Sequence, residues 1–371
     1  MIQGDPFPSV TTLAGECSGS WPGFATAAKE TVEAEKKLSM ALQPRQDEAR
    51  LLDADCSLVL FGSFARYEML EGSDYDWAVL VDGVVNTAHS EQTRTLKTAL
   101  SDAKLIPPGS TGTFGGLIFS HDLIHFIGGE EDSNANLTRR MLMLLESRPV
   151  QLTRGDNSER TWENVVKNVL KRYFEEDVHF RPAQHRVPRF MLNDLTRYWR
   201  TICVDYAAKH REQGEQKWAL RNAKLRLSRK LLYAAGVAFC LNCELQPPAK
   251  HDKAEARGAE LFIQSAMDFA KTPPLEYLAL FVRDNVPDSG KRARVATSIF
   301  GSYSQWLELM SNSETRGAFK KLSHSEAGAS EPFQEARKIG TEFACGLREL
   351  FFDRRQEQDL IAKLSLDYVG F

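Results

Sequence analysis

Gly62-Ser63 and, ten residues further on, Asp74-Tyr75-Asp76 are the residues whose types and spacing could do chemistry in this chain. Two aspartates one residue apart project to the same side of an extended chain, and Tyr75 turns to the other. Carboxylates so close repel one another unless a cation lies between them. Mg²⁺ is the natural cation, because it prefers a few carboxylates completed by phosphate oxygens. Mn²⁺ would serve in its place. At Gly62 the missing Cβ lets backbone amides approach a phosphate chain, and Ser63 adds a hydroxyl donor. A helix after Ser63 would point its positive end at the anion. A phosphate cradle beside a metal-binding carboxylate pair is the outline of a nucleotidyl-transfer site. There one metal activates the attacking oxygen and a second holds the leaving pyrophosphate.

The elements that must hold these residues can be read around them. Residues 58–61 are a short apolar run closed by a Gly turn signal, which predicts a buried strand. Residues 64–71 are polar and helix-compatible, with Gly72-Ser73 as the stop. Residues 77–81 read as a neighbouring strand that begins at the carboxylates. A helix over 24–52 and another over 90–103 are expected to cover the sheet, and Pro107-Pro108-Gly109 breaks the chain. Residues 117–126, LIFSHDLIHF, have strand length and mixed polarity. A helix over 137–147 takes Ser133 or Asn136 as its cap. Arg139 and Arg140 stand in its first turn against the dipole, so they call for anionic partners. The acidic loop Glu130-Glu131-Asp132 and a nucleotide phosphate are the two alternatives. Residues 150–155 read as a last strand or a linker.

The stretch 58–81 resembles the G-S-x10-D-x-D signature of polymerase-beta-like nucleotidyltransferases. Within that superfamily, Arg66-Tyr67-Glu68 and Ser73 are similar to the PII-protein uridylyltransferase (GlnD-type) branch and its relatives. The resemblance implies an α+β fold, a small mixed-sheet nucleotidyltransferase domain followed by an all-helical domain. It implies that Gly62, Ser63 and Arg66 bind nucleotide, ATP or another triphosphate, and that Asp74 and Asp76 hold the metal. A third carboxylate is common in the superfamily. The resemblance places it at Asp122, as metal ligand and general base, with Glu130, Glu131 and Asp132 as competitors. His121 and His125 read as structural donors. Nothing further along resembles the phosphohydrolase or ligand-sensing domains of a full PII uridylyltransferase, so only the transfer half is implied.

Beyond residue 158 strand signals fade and long helix-compatible stretches follow. The expected division is a loose arm over 1–23, the nucleotidyltransferase domain over 24–155, and a helical domain over 156–371. Residues 217–230 carry six basic residues and no acid. On a regular helix Lys217, Arg221, Lys224 and Ser228 share one face, which could hold a triphosphate or an acidic acceptor. Arg189, Asn193, Arg197 and Arg200 can share another. A solvated basic face is the plain alternative for both.

The 371 residues are 42% hydrophobic and 26% charged with a formal net charge of −3, which argues against wholesale coating of nucleic acid. No sequence-specific DNA binding is expected. No basic-then-apolar leader and no bilayer-length apolar run is seen, so a cytoplasmic protein without membrane partners is expected. Six cysteines are scattered at 17, 56, 203, 240, 243 and 345, and Cys240 and Cys243 read as core residues. The acceptor stays open among a protein, a small molecule and a nucleotide. The competing reading is a decayed nucleotide-binding regulatory or toxin–antitoxin-type module.

Overall fold

β1 (Cys56–Phe61) and β2 (Trp77–Val81) are buried at every position, as continuous apolar runs covered on both faces should be. They pair antiparallel, with Cys56 opposite Val81 and Leu60 opposite Trp77. β3 (Leu117–Phe119) lies parallel on the outer side of β2, and β4 (Ser147–Val150) lies antiparallel on the outer side of β1. The result is a mixed four-stranded sheet of order β3-β2-β1-β4. The structure, a computed structural model, describes residues 4–43, 51–109, 112–151, 157–177, 187–213, 217–246, 255–353 and 359–370.

Two compact units are formed. The sheet unit comprises Ala28–Val178 and Ala259–Lys271. On one face Leu58, Leu60, Tyr75, Trp77, Val79 and Val81 form a core with helices Pro22–Ala41 and Thr87–Asp102. Helix Ser158–Glu175 packs against β1 and β2, with Val165, Val166, Val169 and Leu170 fully buried. In the same unit Phe262 stacks on Phe174, and Lys167 pairs with Glu260.

The helical unit comprises Met1–Ala27, His179–Gly258 and Thr272–Phe371. The described elements of residues 189–368 are all helical, which gives the expected α+β class with a helical region after the sheet. Residues 1–23, expected as a loose arm, include helix Pro8–Glu16. The buried Glu276 carboxylate accepts from the amides of Ser9 and Val10 in the first turn of that helix. Two π-helical turns, Leu225–Arg229 and Thr297–Gly301, interrupt long helices of this unit. Helix Ser302–Ser311 is followed almost directly by helix Ser313–Lys321. The expected boundary at 155 and the linker part of 150–155 lie outside the described residues, as do 44–50 of the expected first long helix.

Three local expectations differ from the structure. The helix expected over 64–71 is a single turn, Gly62–Ala65. Tyr67 then takes φ +59°, and the chain turns to bring Glu68 back to Arg66. Helix Gly62–Ala65 is too short to carry a macrodipole, so phosphate binding there rests on local amides and Ser63 alone. The strand expected over 117–126 ends at Phe119 and gives way to helix Ser120–Ile124. The single basic helix expected over 217–230 is α-helical only to Lys224 before the π turn.

Candidate active site

Gly62 closes β1 with φ +65°, a left-handed conformation that glycine adopts without strain. A Cβ placed on it would stand 2.9 Å from Oδ2 of Asp76. The two halves of the sequence signature therefore meet: the Asp76 carboxylate lies in the space that the glycine leaves. Asp76 is carried there by the sheet, since the Phe61 N–H donates to the Asp76 carbonyl at 2.8 Å and extends the β1–β2 ladder by one step. Tyr75 and Trp77 belong to the core, and Asp76 between them turns to the other face just before β2, with Asp74 two residues earlier. Both aspartates are half-buried. The donor set is hard oxygen beside a backbone cradle, which fits Mg²⁺ with substrate phosphate. Ser63 is half-buried, and its hydroxyl donates to the Met69 thioether at 3.3 Å, a weak acceptor easily exchanged for a phosphate oxygen.

The loop joining the two halves is anchored at several points. Arg66 forms a buried cluster with Glu68, at 2.7 Å, and with Glu146, which directly precedes β4. Burial of all three side chains makes this cluster internal, so Arg66 positions the loop. The sequence analysis expected Arg66 at the nucleotide, whereas its guanidinium pairs with Glu68 and Glu146. The Met69 N–H donates to the Thr31 hydroxyl at 2.9 Å, and the Leu70 N–H donates to Ser73 Oγ at 3.1 Å. The Arg148 guanidinium lies 4.5 Å from the ring centres of both Phe64 and Tyr67 and donates to the Tyr67 hydroxyl. These contacts hold Tyr67 in its unusual backbone conformation.

Asp122 is not brought to this end of the sheet. β3 runs parallel to β2 with Leu117 level with Val79 and Phe119 level with Val81, and Asp122 lies three residues beyond. It follows the far end of the strands, about 16 Å of strand length from Asp76. There its carboxylate lies 3.6 Å from His121 Nδ1 on an exposed helix turn. Level with Trp77 the neighbouring chain supplies Gly115 and Gly116, whose backbone bonds to β2 are 2.7 and 3.0 Å. Residues 112–116 contain no carboxylate. Asp132, another candidate third acid, is buried and bound in bidentate fashion by Arg140 at 2.8 and 3.0 Å, and Arg140 also donates to the Tyr173 hydroxyl. Arg140 thus takes the acidic loop as its partner. Arg139 reaches the Gly112 carbonyl at 3.1 Å, and Ser133 caps the helix Asn134–Leu145.

Lys217, Arg221 and Lys224 belong to the helical unit. Lys217 precedes helix Trp218–Lys224 with φ +56°, and its N–H donates to the Lys320 carbonyl at 3.2 Å. Lys224 is exposed and Arg221 half-buried, whereas Ser228 is buried within the π turn. The regular basic face is broken there, because the extra residue of a π turn rotates everything after it. Arg197 pairs with the buried Asp194 at 2.8 Å, and Arg189 lies over the Tyr368 ring. Cys240 and Cys243 are buried core thiols, as expected.

Two further features of the sheet unit were not singled out from sequence. A cavity of about 450 Å³ lies beside helix Thr87–Asp102, lined by Tyr75, Trp77, Lys97, Ser101, Pro107 and Phe114. It borders the face of Tyr75 and Trp77, away from the carboxylates. At the other end of the sheet Asp55, Cys56 and His89 bring their ligand atoms within 4.8 Å of one another. Burial, with the Asp55 and Asp53 carboxylates adding to it, pushes the Cys56 thiol up to about 12. No spacing rule joins Cys56 to His89, and only the fold reveals the group.

Residues 46–111 match the family model described as "Nucleotidyltransferase domain". That span contains Gly62, Ser63, Asp74 and Asp76 and covers a minor part of the chain. No curated protein matches the chain. Among the described residues no helix is long and apolar enough to cross a membrane.

Proposed function

We propose that this protein is a Mg²⁺-dependent nucleotidyltransferase that moves a nucleoside monophosphate from a nucleoside triphosphate to an acceptor and releases pyrophosphate. The observation that carries the reading is the meeting of Gly62 with Asp76, which sets a backbone cradle against one carboxylate of the D-x-D pair. Gly62 and Ser63 bind the β- and γ-phosphates. Asp74 and Asp76 hold Mg²⁺, with Mn²⁺ as a substitute, and the ion when bound neutralises charge on the triphosphate. Attack by an acceptor hydroxyl in line with the leaving group forms the new bond to the α-phosphorus, and the bond to pyrophosphate breaks.

We leave Asp122 out of this step, because the register of β3 carries it beyond the far end of β2. Removal of the acceptor proton is left to the Asp74–Asp76 pair or to solvent. Arg66 acts through the loop, because Glu68 and Glu146 occupy it. Lys217, Arg221 and Lys224 remain candidates for the phosphates or the acceptor. The base and the acceptor class are open, and a relation to the PII uridylyltransferase branch is part of the proposal.

A second reading is favoured by one observation, the lack of a third carboxylate in residues 112–116. It is a nucleotide-binding regulatory module that retains the cradle without turnover. Incubation with each α-³²P-labelled triphosphate and Mg²⁺, with and without cell extract, separates the two. Labelled product that disappears in the Asp74→Ala/Asp76→Ala variant supports transfer. Binding without product supports the module, and no binding removes both.

A further inference from the structure

We propose that Asp55, Cys56 and His89 form a binding site for a soft divalent transition-metal ion, Zn²⁺ above all, at the end of the sheet opposite Asp74 and Asp76. Asp55 and Cys56 stand at the entrance of β1, and His89 lies in the first turn of helix Thr87–Asp102. Thiolate, imidazole and carboxylate together are a zinc donor set, and three such ligands leave one position for water.

Taken with one ligand atom from each residue, the three lie within 4.8 Å of one another, close to what a single ion needs. The Asp55 carboxylate lies 3.7 Å from His89 Nε2 through one oxygen and 3.7 Å from Cys56 Sγ through the other. Neighbouring ligand atoms around a tetrahedral zinc ion are about 3.3–3.8 Å apart, from the bond lengths such sites show. Only small side-chain rotations are then needed to converge on one point.

His89 supplies the independent observation. It is 1% exposed, yet among the described residues neither ring nitrogen has a hydrogen-bond partner. A buried imidazole left so is costly, and a metal bond through Nε2 removes that cost on the side that faces Asp55. Cys56 is equally buried, whereas about a third of the Asp55 side chain is exposed and gives an ion its way in. Asp55 is held in place as well. Its carbonyl accepts from the Asp82 N–H at 2.9 Å, and its carboxylate lies over Gly83, where a Cβ would come within 2.2 Å of Oδ2. An ion here would fasten the start of β1 to the start of helix Thr87–Asp102 and so fix the far end of β2. It is a structural centre separate from the hard-oxygen Mg²⁺ position, since thiolate and imidazole select a softer ion.

Chelator-treated full-length protein titrated with Co²⁺ gives the test, read as the thiolate-to-cobalt charge-transfer band in the near ultraviolet. One equivalent should develop the band, and Zn²⁺ should displace it. Cys56→Ser and His89→Asn should lose it, while Asp74→Ala/Asp76→Ala and Cys240→Ser should keep it. Because Cys56 and His89 are buried, Asp55→Asn is the variant that tests the site without disturbing the core. It should weaken Co²⁺ binding by about tenfold or more with an unchanged circular dichroism spectrum. No band in the wild type, or a band that survives both Cys56→Ser and Asp55→Asn, overturns the proposal. A hydrated His89–Asp55 ion pair would account for such a result.

Discussion

Gly62 is a single position where backbone conformation and side-chain space make the same demand. Gly62→Ala must place an L residue at φ +65° and a Cβ 2.9 Å from Asp76 Oδ2. We expect a stability loss of about 1–2 kcal/mol from the backbone term and displacement of the Asp76 carboxylate. Denaturant unfolding reads the first effect. The second appears as loss of Mg²⁺-dependent thermal stabilisation by a triphosphate, and a variant that keeps it would detach Gly62 from the site. Arg66 makes the opposite kind of prediction. Were it a phosphate contact, Arg66→Met would leave stability unchanged and weaken nucleotide binding. With its guanidinium buried between Glu68 and Glu146, we expect Arg66→Met to cost about 3–5 kcal/mol in urea unfolding, because it strands two buried carboxylates. The motif residues themselves were legible, since G-S and D-x-D name backbone freedom and alternation directly. The role of Arg66 was not, because its partner Glu146 lies eighty residues away in sequence.

At the scale of elements, the buried strands and long helices followed from pattern, and the failures have identifiable physical causes. In LIFSHDLIHF the apolar residues satisfy two periods at once. Phe119, Leu123 and Phe126, all at least half-buried, are spaced four and three apart as a helix requires, and this outweighs the short alternation that Leu117 begins. That switch from strand to helix carries Asp122 away from the carboxylate pair. In the helical unit, propensity cannot announce a π turn, because the same residues suit an α-helix. What marks both π turns is the helix facing them, Glu331–Phe352. Its Gly340 lies against Arg226, and a Cβ on Gly346 would stand 2.8 Å from Ser298 Cβ and Ile299 Cγ1. Gly346→Ala should therefore destabilise by about 1–3 kcal/mol through overpacking, despite the better helix propensity of alanine. A thermal melt showing stabilisation would mean that the π turn yields to the added methyl.

At the scale of the whole molecule, the α+β class was implied by the family resemblance, and the fading of strand signals beyond residue 158 agreed with its helical part. The assembly of each unit did not. Residues 259–271 belong with the sheet unit, through Phe262 on Phe174 and Lys271 to Glu163, although they are embedded in the helical part of the sequence. Residues 1–27 belong with the helical unit, where the carboxylate of Glu276 meets the first turn of helix Pro8–Glu16. Such pairings join segments hundreds of residues apart, and no local pattern encodes them. The proposed function rests on a smaller part of the molecule, the Gly62–Asp76 junction. Its most direct test is Mg²⁺-dependent pyrophosphate release from each nucleoside triphosphate in the presence of cell extract, comparing wild type with Asp76→Asn. We expect release by the wild type with at least one triphosphate and its loss in a variant that still folds. Equal release by the two proteins would contradict the proposed function.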